Sequence, residues 1–187
     1  MNTQIDAAIK VLKEGGVILY PTDTVWGLGC DATNEKAVEK IFKIKQRADS
    51  KSLITLAADA DMVCRYVKEV PEIAISLMEV NDKPMTIIYP EAVGLAANVV
   101  AEDGTVGIRV PMSDFCVRLI SKFRRPIVST SANISGCEAP KYFEEISEQI
   151  KQSADFVVDP SCEDNATHQP SQIIKVGLTS EIQIIRE

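Results

Sequence analysis

Four segments concentrate residue types that bind anions and hold ligands through hydroxyl and amide groups. The first is Tyr20-Pro21-Thr22-Asp23-Thr24-Val25-Trp26-Gly27-Leu28-Gly29-Cys30, where two threonines flank an aspartate and two glycines follow. Hydroxyls and free backbone N–H groups suit a carboxylate or a phosphate, while a tight turn with glycines at positive φ explains the same pattern without a ligand. The segment is neither a Walker loop nor a G-x-G-x-x-G turn, so neither of those phosphate-binding mechanisms follows. The second is Lys43-Ile44-Lys45-Gln46-Arg47 at a helix end. These cations either complement the negative end of the helix dipole, or Lys45 and Arg47 reach into a cleft to hold phosphates, one as a point charge and one as a bidentate fork. In the third, Thr105-Val106-Gly107-Ile108-Arg109-Val110-Pro111, alternation puts Thr105, Gly107 and Arg109 on one strand face. An arginine inside a strand is costly unless paired, either in a structural ion pair or with a carboxylate ligand. The fourth, Val128-Ser129-Thr130-Ser131-Ala132-Asn133-Ile134-Ser135-Gly136, runs from a strand into a turn dense in hydroxyl and amide groups. That turn either holds a ribose or phosphate or satisfies its own backbone.

The elements that must position these segments alternate between helical and β-branched patterns, as in an α/β domain. Helices are predicted over about Thr3–Lys13, Glu35–Ile44 (with Asn34 as cap), Asp61–Val67, Glu72–Val80, Asp114–Phe123 and Phe143–Gln152. In the fifth of these, Cys116, Val117, Ile120 and Phe123 form the expected buried face. Strands are predicted at Val17–Tyr20, Leu53–Ala57, Met85–Tyr89, Thr105–Val110, Ile127–Thr130, Phe156–Val158, Ser171–Val176 and Ile182–Ile185, with a loop from Pro21 to Cys30. Not every pair of strands is separated by a helix, so the expected sheet is mixed, with ligands at strand ends.

Composition narrows the function classes. The chain has 187 residues, 45% hydrophobic and 25% charged, the profile of one soluble globular domain. No segment approaches the ~18 apolar residues of a membrane span, and Met1-Asn2-Thr3-Gln4-Ile5-Asp6 carries no signal-peptide pattern, so the expected location is the cytoplasm. Five cysteines without C-x-x-C spacing argue against a disulfide framework or a protein-bound structural metal. The single histidine, His168, lies in a polar stretch and reads as a surface residue, which leaves Ser-His or Cys-His catalysis little to work with. A net charge of −7 favours a small anionic substrate over an extended duplex.

Taken in order, Pro21-Thr22-Asp23-Thr24 to Gly29, Lys45-x-Arg47, Thr105 to Pro111 and Ser129-Thr130-Ser131-Ala132-Asn133-Ile134-Ser135-Gly136 resemble the YrdC-like family, the threonylcarbamoyl-AMP synthases, over nearly the whole chain. The resemblance implies a single YrdC-like domain with a twisted mixed β-sheet, flanking helices and a concave ligand cleft. It implies a nucleotidyltransferase that joins L-threonine, bicarbonate and ATP, the ATP with Mg²⁺, to give threonylcarbamoyl-adenylate and pyrophosphate. A downstream threonylcarbamoyl transferase complex then modifies adenosine 37 of tRNA. Carried over, it implies threonine binding by Thr22, Thr24, Arg109 and Ser171 and nucleotide binding by Lys45, Arg47, Thr105, Ser129, Ser131, Asn133 and Arg186, with Lys45 and Arg47 as the catalytic cations.

The chain departs from the family pattern at Ala48, Ser52, Asn81–Thr86, Asp159–Asp164 and Gln172, positions that bear on loop closure more than on the cleft. One alternative within the fold is a non-catalytic module that binds double-stranded RNA or serves ribosome maturation. It would need a basic cleft larger than a mononucleotide and a steep salt dependence. The carbamoyl-adenylate chemistry of hydrogenase-maturation proteins ranks last, since those multidomain chains carry zinc-finger and acylphosphatase parts.

Overall fold

The computed structural model describes residues 1–46 and 53–187; Arg47, Ala48 and Ser52 lie outside the described residues. Among the described residues six α-helices, α1 (Asn2–Lys13), α2 (Glu35–Lys45), α3 (Ala60–Tyr66), α4 (Glu72–Val80), α5 (Asp114–Phe123) and α6 (Glu148–Ser153), accompany one sheet. Its strands are β1 (Ile18–Tyr20), β2 (Gly27–Gly29), β3 (Ile54–Leu56), β4 (Met85–Tyr89), β5 (Val106–Arg109), β6 (Ile127–Ser131), β7 (Phe156–Val157), β8 (Gln172–Val176) and β9 (Ile182–Arg186). They lie in the order β7-β1-β2-β6-β3-β5-β4-β8-β9, with β1–β7, β3–β5 and β4–β8 parallel and the other pairings antiparallel. The mixed sheet expected from the sequence is present. Among the described residues no helix is long and apolar enough to cross a membrane.

The helices form where apolar period and capping coincide. In α1 the stripe Ile5, Ala8, Ile9 and Leu12 is buried against β1, β7 and α5. Asn34 caps α2 as expected, its side chain accepting from the Ala37 N–H at 3.2 Å. In α5 the buried stripe is Phe115, Cys116, Leu119, Ile120 and Phe123. Val117 is only half-buried, because a 3.6-residue turn rotates it off that stripe.

Two elements differ from expectation. The helix predicted over Phe143–Gln152 is broken into a 3₁₀ turn at Phe143–Glu145 and α6. Ser147 is extended between them and caps α6, accepting from the Ile150 N–H, so a cap interrupts the apolar period. The loop Pro21–Cys30 contains β2, which pairs antiparallel with β1 on one side and β6 on the other. Gly-Leu-Gly carries no strand signal, yet glycine is what the packing requires there. A Cβ on Gly29 would lie 2.6 Å from Cε1 of Tyr20 and 2.8 Å from the Val128 carbonyl oxygen. Gly29→Ala is therefore expected to cost about 1–3 kcal/mol by overpacking, read as a lower denaturant midpoint at unchanged slope. An unchanged midpoint would contradict the close approach of β2 to its neighbours.

Candidate active site

The central strands present their cavity-facing residues as a floor. Register places Ser129 opposite Ile54, Ile54 opposite Gly107, and Gly107 opposite Ile88, one row across β6, β3, β5 and β4. Thr86 and Ile173 pair in the neighbouring register of β4 and β8. All of these residues line a cavity of about 440 Å³, together with Thr24–Gly27, Leu53, Arg109, Thr130, Ser131, Ala139, Pro170, Ser171 and Arg186. That volume is in the usual range for a small-molecule site. Gly107 forms the low point of the floor: a Cβ there would meet Thr86 Cγ2 at 3.3 Å and the Ile54 and Ile88 Cγ1 atoms at 3.9 Å.

At one end of the floor Arg109 is 4% exposed and forms an ion pair with Asp23, which is 1% exposed. The other Asp23 oxygen accepts from the Met112 N–H at 3.0 Å. Arg109 Nη2 also donates to Thr24 Oγ1 at 3.3 Å, and its buried Nε has no hydrogen-bond partner. Arg109 lines the cavity as a buried cation suited to an anionic ligand group, while its Nε is shut off from the cavity. Thr22 stands behind this wall: its hydroxyl donates to the Val25 carbonyl at 2.8 Å and lies 2.9 Å from Thr24 Oγ1. Thr22 thus orients Thr24, and it is Thr24 that lines the cavity.

At the other end, buried Lys45 donates through Nζ to the carbonyls of Ser131 (2.6 Å) and Asn133 (2.9 Å) and to Asn133 Oδ1 (3.1 Å). Ser135 N–H closes on the Lys45 carbonyl at 2.9 Å. The ammonium therefore holds the Ser131–Asn133 turn in shape. Ser131 lines the cavity, while Lys45 and Asn133 stand behind it. The Ser131 hydroxyl donates to Asn133 Oδ1 at 2.6 Å, so the two act as one unit.

A third group closes the far wall. Ser171 Oγ lies 2.8 Å from Thr86 Oγ1, and Arg186 donates through Nε and Nη2 to the Ser171 carbonyl at 2.9 and 2.6 Å. Among the described residues no carboxylate pairs with Arg186. Burial first, then the positive charge of Arg109, lowers the pKa of Arg186, and the guanidinium stays charged throughout. Thr105 is placed elsewhere: it precedes β5 at the opposite end of that strand from Arg109, its hydroxyl bonds Asp103, and it does not line the cavity.

Segment 163–170 straps the first motif. The N–H groups of Thr167 and His168 donate to the carbonyls of Asp23 (3.0 Å) and Thr24 (2.9 Å), and Trp26 Nε1 donates to Glu163. His168 is half-buried rather than a plain surface residue, its Nδ1 2.8 Å from the Lys141 carbonyl and its ring 4.6 Å from that of Tyr142. It is not among the cavity-lining residues. Cys116 offers no thiolate nucleophile, because burial, with Asp23 adding, pushes its thiol up to about 12. Among the described residues no group of three or more His, Cys, Asp or Glu could hold a metal ion.

The Sua5/YciO/YrdC family model, described as telomere recombination, matches residues 10–187. The chain belongs to this family. A threonylcarbamoyl-AMP synthase of Vibrio vulnificus (strain YJ016) is 34% identical over 176 residues, which cover 92% of this chain and 94% of the relative. The crystal structure of P. abyssi Sua5 complexed with L-threonine superposes with a TM-score of 0.84 at 29% identity, covering 92% of this chain. Only half of that solved chain is matched, so this member of the Sua5/YciO/YrdC family spans about half its length. E. coli YciO gives a TM-score of 0.82 at 25% identity, covering the whole of this chain and 90% of its own.

Of the residues expected at the site, Thr24, Arg109, Ser129, Ser131, Ser171 and Arg186 share one cavity. Lys45, Asn133 and Thr22 hold those residues from behind, Thr105 is outside, and Arg47 lies outside the described residues. Asp23, Trp26, Thr86 and the apolar floor of Ile54, Ile88 and Ile173 went unassigned from the sequence. For Asp23 the signal was available: a strand arginine needs a partner, and this aspartate sits in the first motif. For Thr86 and the isoleucines only pairing register reveals the shared face.

Proposed function

We propose that this chain is a threonylcarbamoyl-AMP synthase, making threonylcarbamoyl-adenylate from L-threonine, bicarbonate and ATP with release of pyrophosphate. The observation that carries the reading is the cavity itself. A buried arginine stands at one end, a hydroxyl-rich strand end at the other, and an apolar floor without a side chain at Gly107 between them. The sequence and structural relatives support the same chemistry.

In the proposed mechanism the amine of threonine combines with bicarbonate to give a carbamate and water. A carbamate oxygen then attacks the α-phosphorus and pyrophosphate leaves. Arg109, with Thr24 beside it and Thr22 behind, receives the amino-acid carboxylate, and Ser171 with its partner Thr86 walls the same end. Ser129 and Ser131 face the nucleotide, Asn133 and Lys45 fix the turn that presents Ser131, and Arg47 and Arg186 serve the phosphates. Mg²⁺ enters with the ATP, ligated by its phosphates. Catalysis is by juxtaposition and charge neutralisation, with no covalent enzyme intermediate. Transfer of the threonylcarbamoyl group to adenosine 37 of tRNA belongs to a separate transferase, and a cytoplasmic location fits that division of labour.

The test is pyrophosphate release by purified protein supplied with ATP, Mg²⁺ and bicarbonate, with and without L-threonine. Release that requires threonine is the expected result. Folded protein that releases none, or releases it equally without threonine, overturns the reading.

A further inference from the structure

Tyr20 takes no part in the proposed reaction, yet two glycines of the first motif make room for its ring. Tyr20 stands opposite Gly27 in the β1–β2 register, and Gly27 stands opposite Ser131 in β2–β6, so these residues share one face of the sheet with Gly29 and Ser129. A Cβ on Gly29 would lie 2.6 Å from Tyr20 Cε1, and one on Gly27 would lie 3.7 Å from the same atom and 3.3 Å from Ser129 Oγ. The ring therefore lies across β2 toward Ser129. Tyr20 is fully buried, and its hydroxyl has no hydrogen-bond partner. Burial, then Cys116, raises the pKa of the phenol above its ordinary value, while Ser129 opposes the rise as a hydrogen-bonding neighbour. The phenol therefore keeps its proton at neutral pH, and the two hydroxyls are neighbours not yet aligned as a bond. The other groups around the phenol are engaged: Asp23 by Arg109 and the Met112 N–H, and Cys116 as donor to the Pro21 carbonyl. Ser131 donates to Asn133 Oδ1, whereas Ser129, on the cavity wall, has no such commitment among the described residues.

We propose that Tyr20 is a positioning residue that acts through Ser129: it donates its hydroxyl hydrogen to Ser129 Oγ and so turns the Ser129 hydrogen into the cavity, toward a phosphate oxygen of the nucleotide. This rests on the proposed function, because it concerns the nucleotide end of that cavity. The direction of the bond follows from which hydrogens find acceptors. A buried O–H without an acceptor is costly. If Ser129 donated to Tyr20, the phenol hydrogen would stay unsatisfied and the serine would offer a phosphate only lone pairs. With Tyr20 as donor both hydrogens are satisfied, one inside the wall and one on the ligand. The phenol oxygen has no accessible surface, so it reaches the ligand only through Ser129. A bound phosphate draws the Ser129 hydrogen toward itself, which makes Ser129 Oγ a better acceptor for Tyr20, and each bond strengthens the other.

The experiment measures threonine-dependent pyrophosphate release by the wild type, Tyr20→Phe, Ser129→Ala and the double variant, with ATP and threonine varied in turn. Tyr20→Phe is expected to lower kcat/KM for ATP by about tenfold, the usual net contribution of one hydrogen bond. It is expected to leave KM for threonine unchanged and the denaturant midpoint equal or higher, because it removes an unsatisfied group. Added to Ser129→Ala, it is expected to change nothing further. A packing role for Tyr20 would instead lower stability and add to the loss caused by Ser129→Ala. Folded Y20F with wild-type kcat/KM for ATP, beside an active wild type, overturns this proposal alone, as does a loss that adds to that of S129A. Should Y20F not fold, ¹³Cζ-tyrosine NMR decides. A non-hydrolysable ATP analogue is expected to shift a buried tyrosine resonance in the wild type and not in S129A, and no shift, or the same shift in S129A, overturns the proposal. A wild type that releases no pyrophosphate overturns the functional reading, and this proposal with it.

Discussion

Arg109→Ala removes threonine-dependent pyrophosphate release, with kcat/KM for threonine falling by about 100-fold or more, and destabilises the fold by about 3–5 kcal/mol. The two effects have separate origins. Stability falls because Asp23 is left as an unpaired carboxylate at 1% exposure, and a buried charge without its partner carries most of its desolvation cost. Activity falls because the proposed charge-assisted contact to the amino-acid carboxylate is lost, together with the bond to Thr24. Arg109→Lys separates them. It keeps the charge, so stability recovers in part, but a point charge cannot donate to Asp23, Thr24 and a ligand in one plane, so threonine use stays low. Denaturant unfolding and initial rates on the same preparations read both quantities. Unchanged threonine kinetics in folded Arg109→Ala would remove Arg109 from the site.

Lys45→Ala acts at the opposite end, lowering kcat/KM for ATP by about 10- to 100-fold and stability by about 1–3 kcal/mol. Its ammonium holds three oxygen atoms of the Ser131–Asn133 turn at 2.6–3.1 Å. Bonds from a charged donor are among the stronger ones, and without them the turn that presents Ser131 to the cavity has lost its brace. The effect falls on ATP more than on threonine, because Arg109 and its partners lie at the other end of the floor. Initial rates with each substrate varied in turn check this. Equal loss toward both substrates, or no loss, would contradict a turn-holding role confined to the nucleotide end.

Legibility from sequence followed the range of the interaction involved. Helix α1, strand β4 and the cap of α2 depend on neighbours within a few residues, and their apolar period or capping residue is written locally. Strand β2 is not, because Gly27 and Gly29 are there to let Tyr20 and above all the β6 backbone, about a hundred positions away in sequence, approach. The same division holds at the site. Thr24, Arg109, Ser129 and Ser131 were legible as chemistry-bearing residues in ordered motifs, and Ser171 and Arg186 only through the family resemblance. That Lys45 braces a turn, that Asp23 neutralises Arg109, and that Ile54, Gly107 and Ile88 form one row depend on tertiary register. Thr105 shows the limit of alternation alone: it follows the strand-face pattern of Gly107 and Arg109 but lies in the turn before β5, bonded to Asp103.

The most direct test of the account is to identify the product. Purified protein is incubated with ATP, Mg²⁺, L-threonine and ¹³C-bicarbonate, and the mixture is analysed by mass spectrometry without a transferase present. The account predicts an adenylate carrying both the threonyl group and one ¹³C, formed together with pyrophosphate and absent when any one substrate is omitted. Pyrophosphate accompanied only by AMP, or an adenylate that contains no label from bicarbonate, would contradict it.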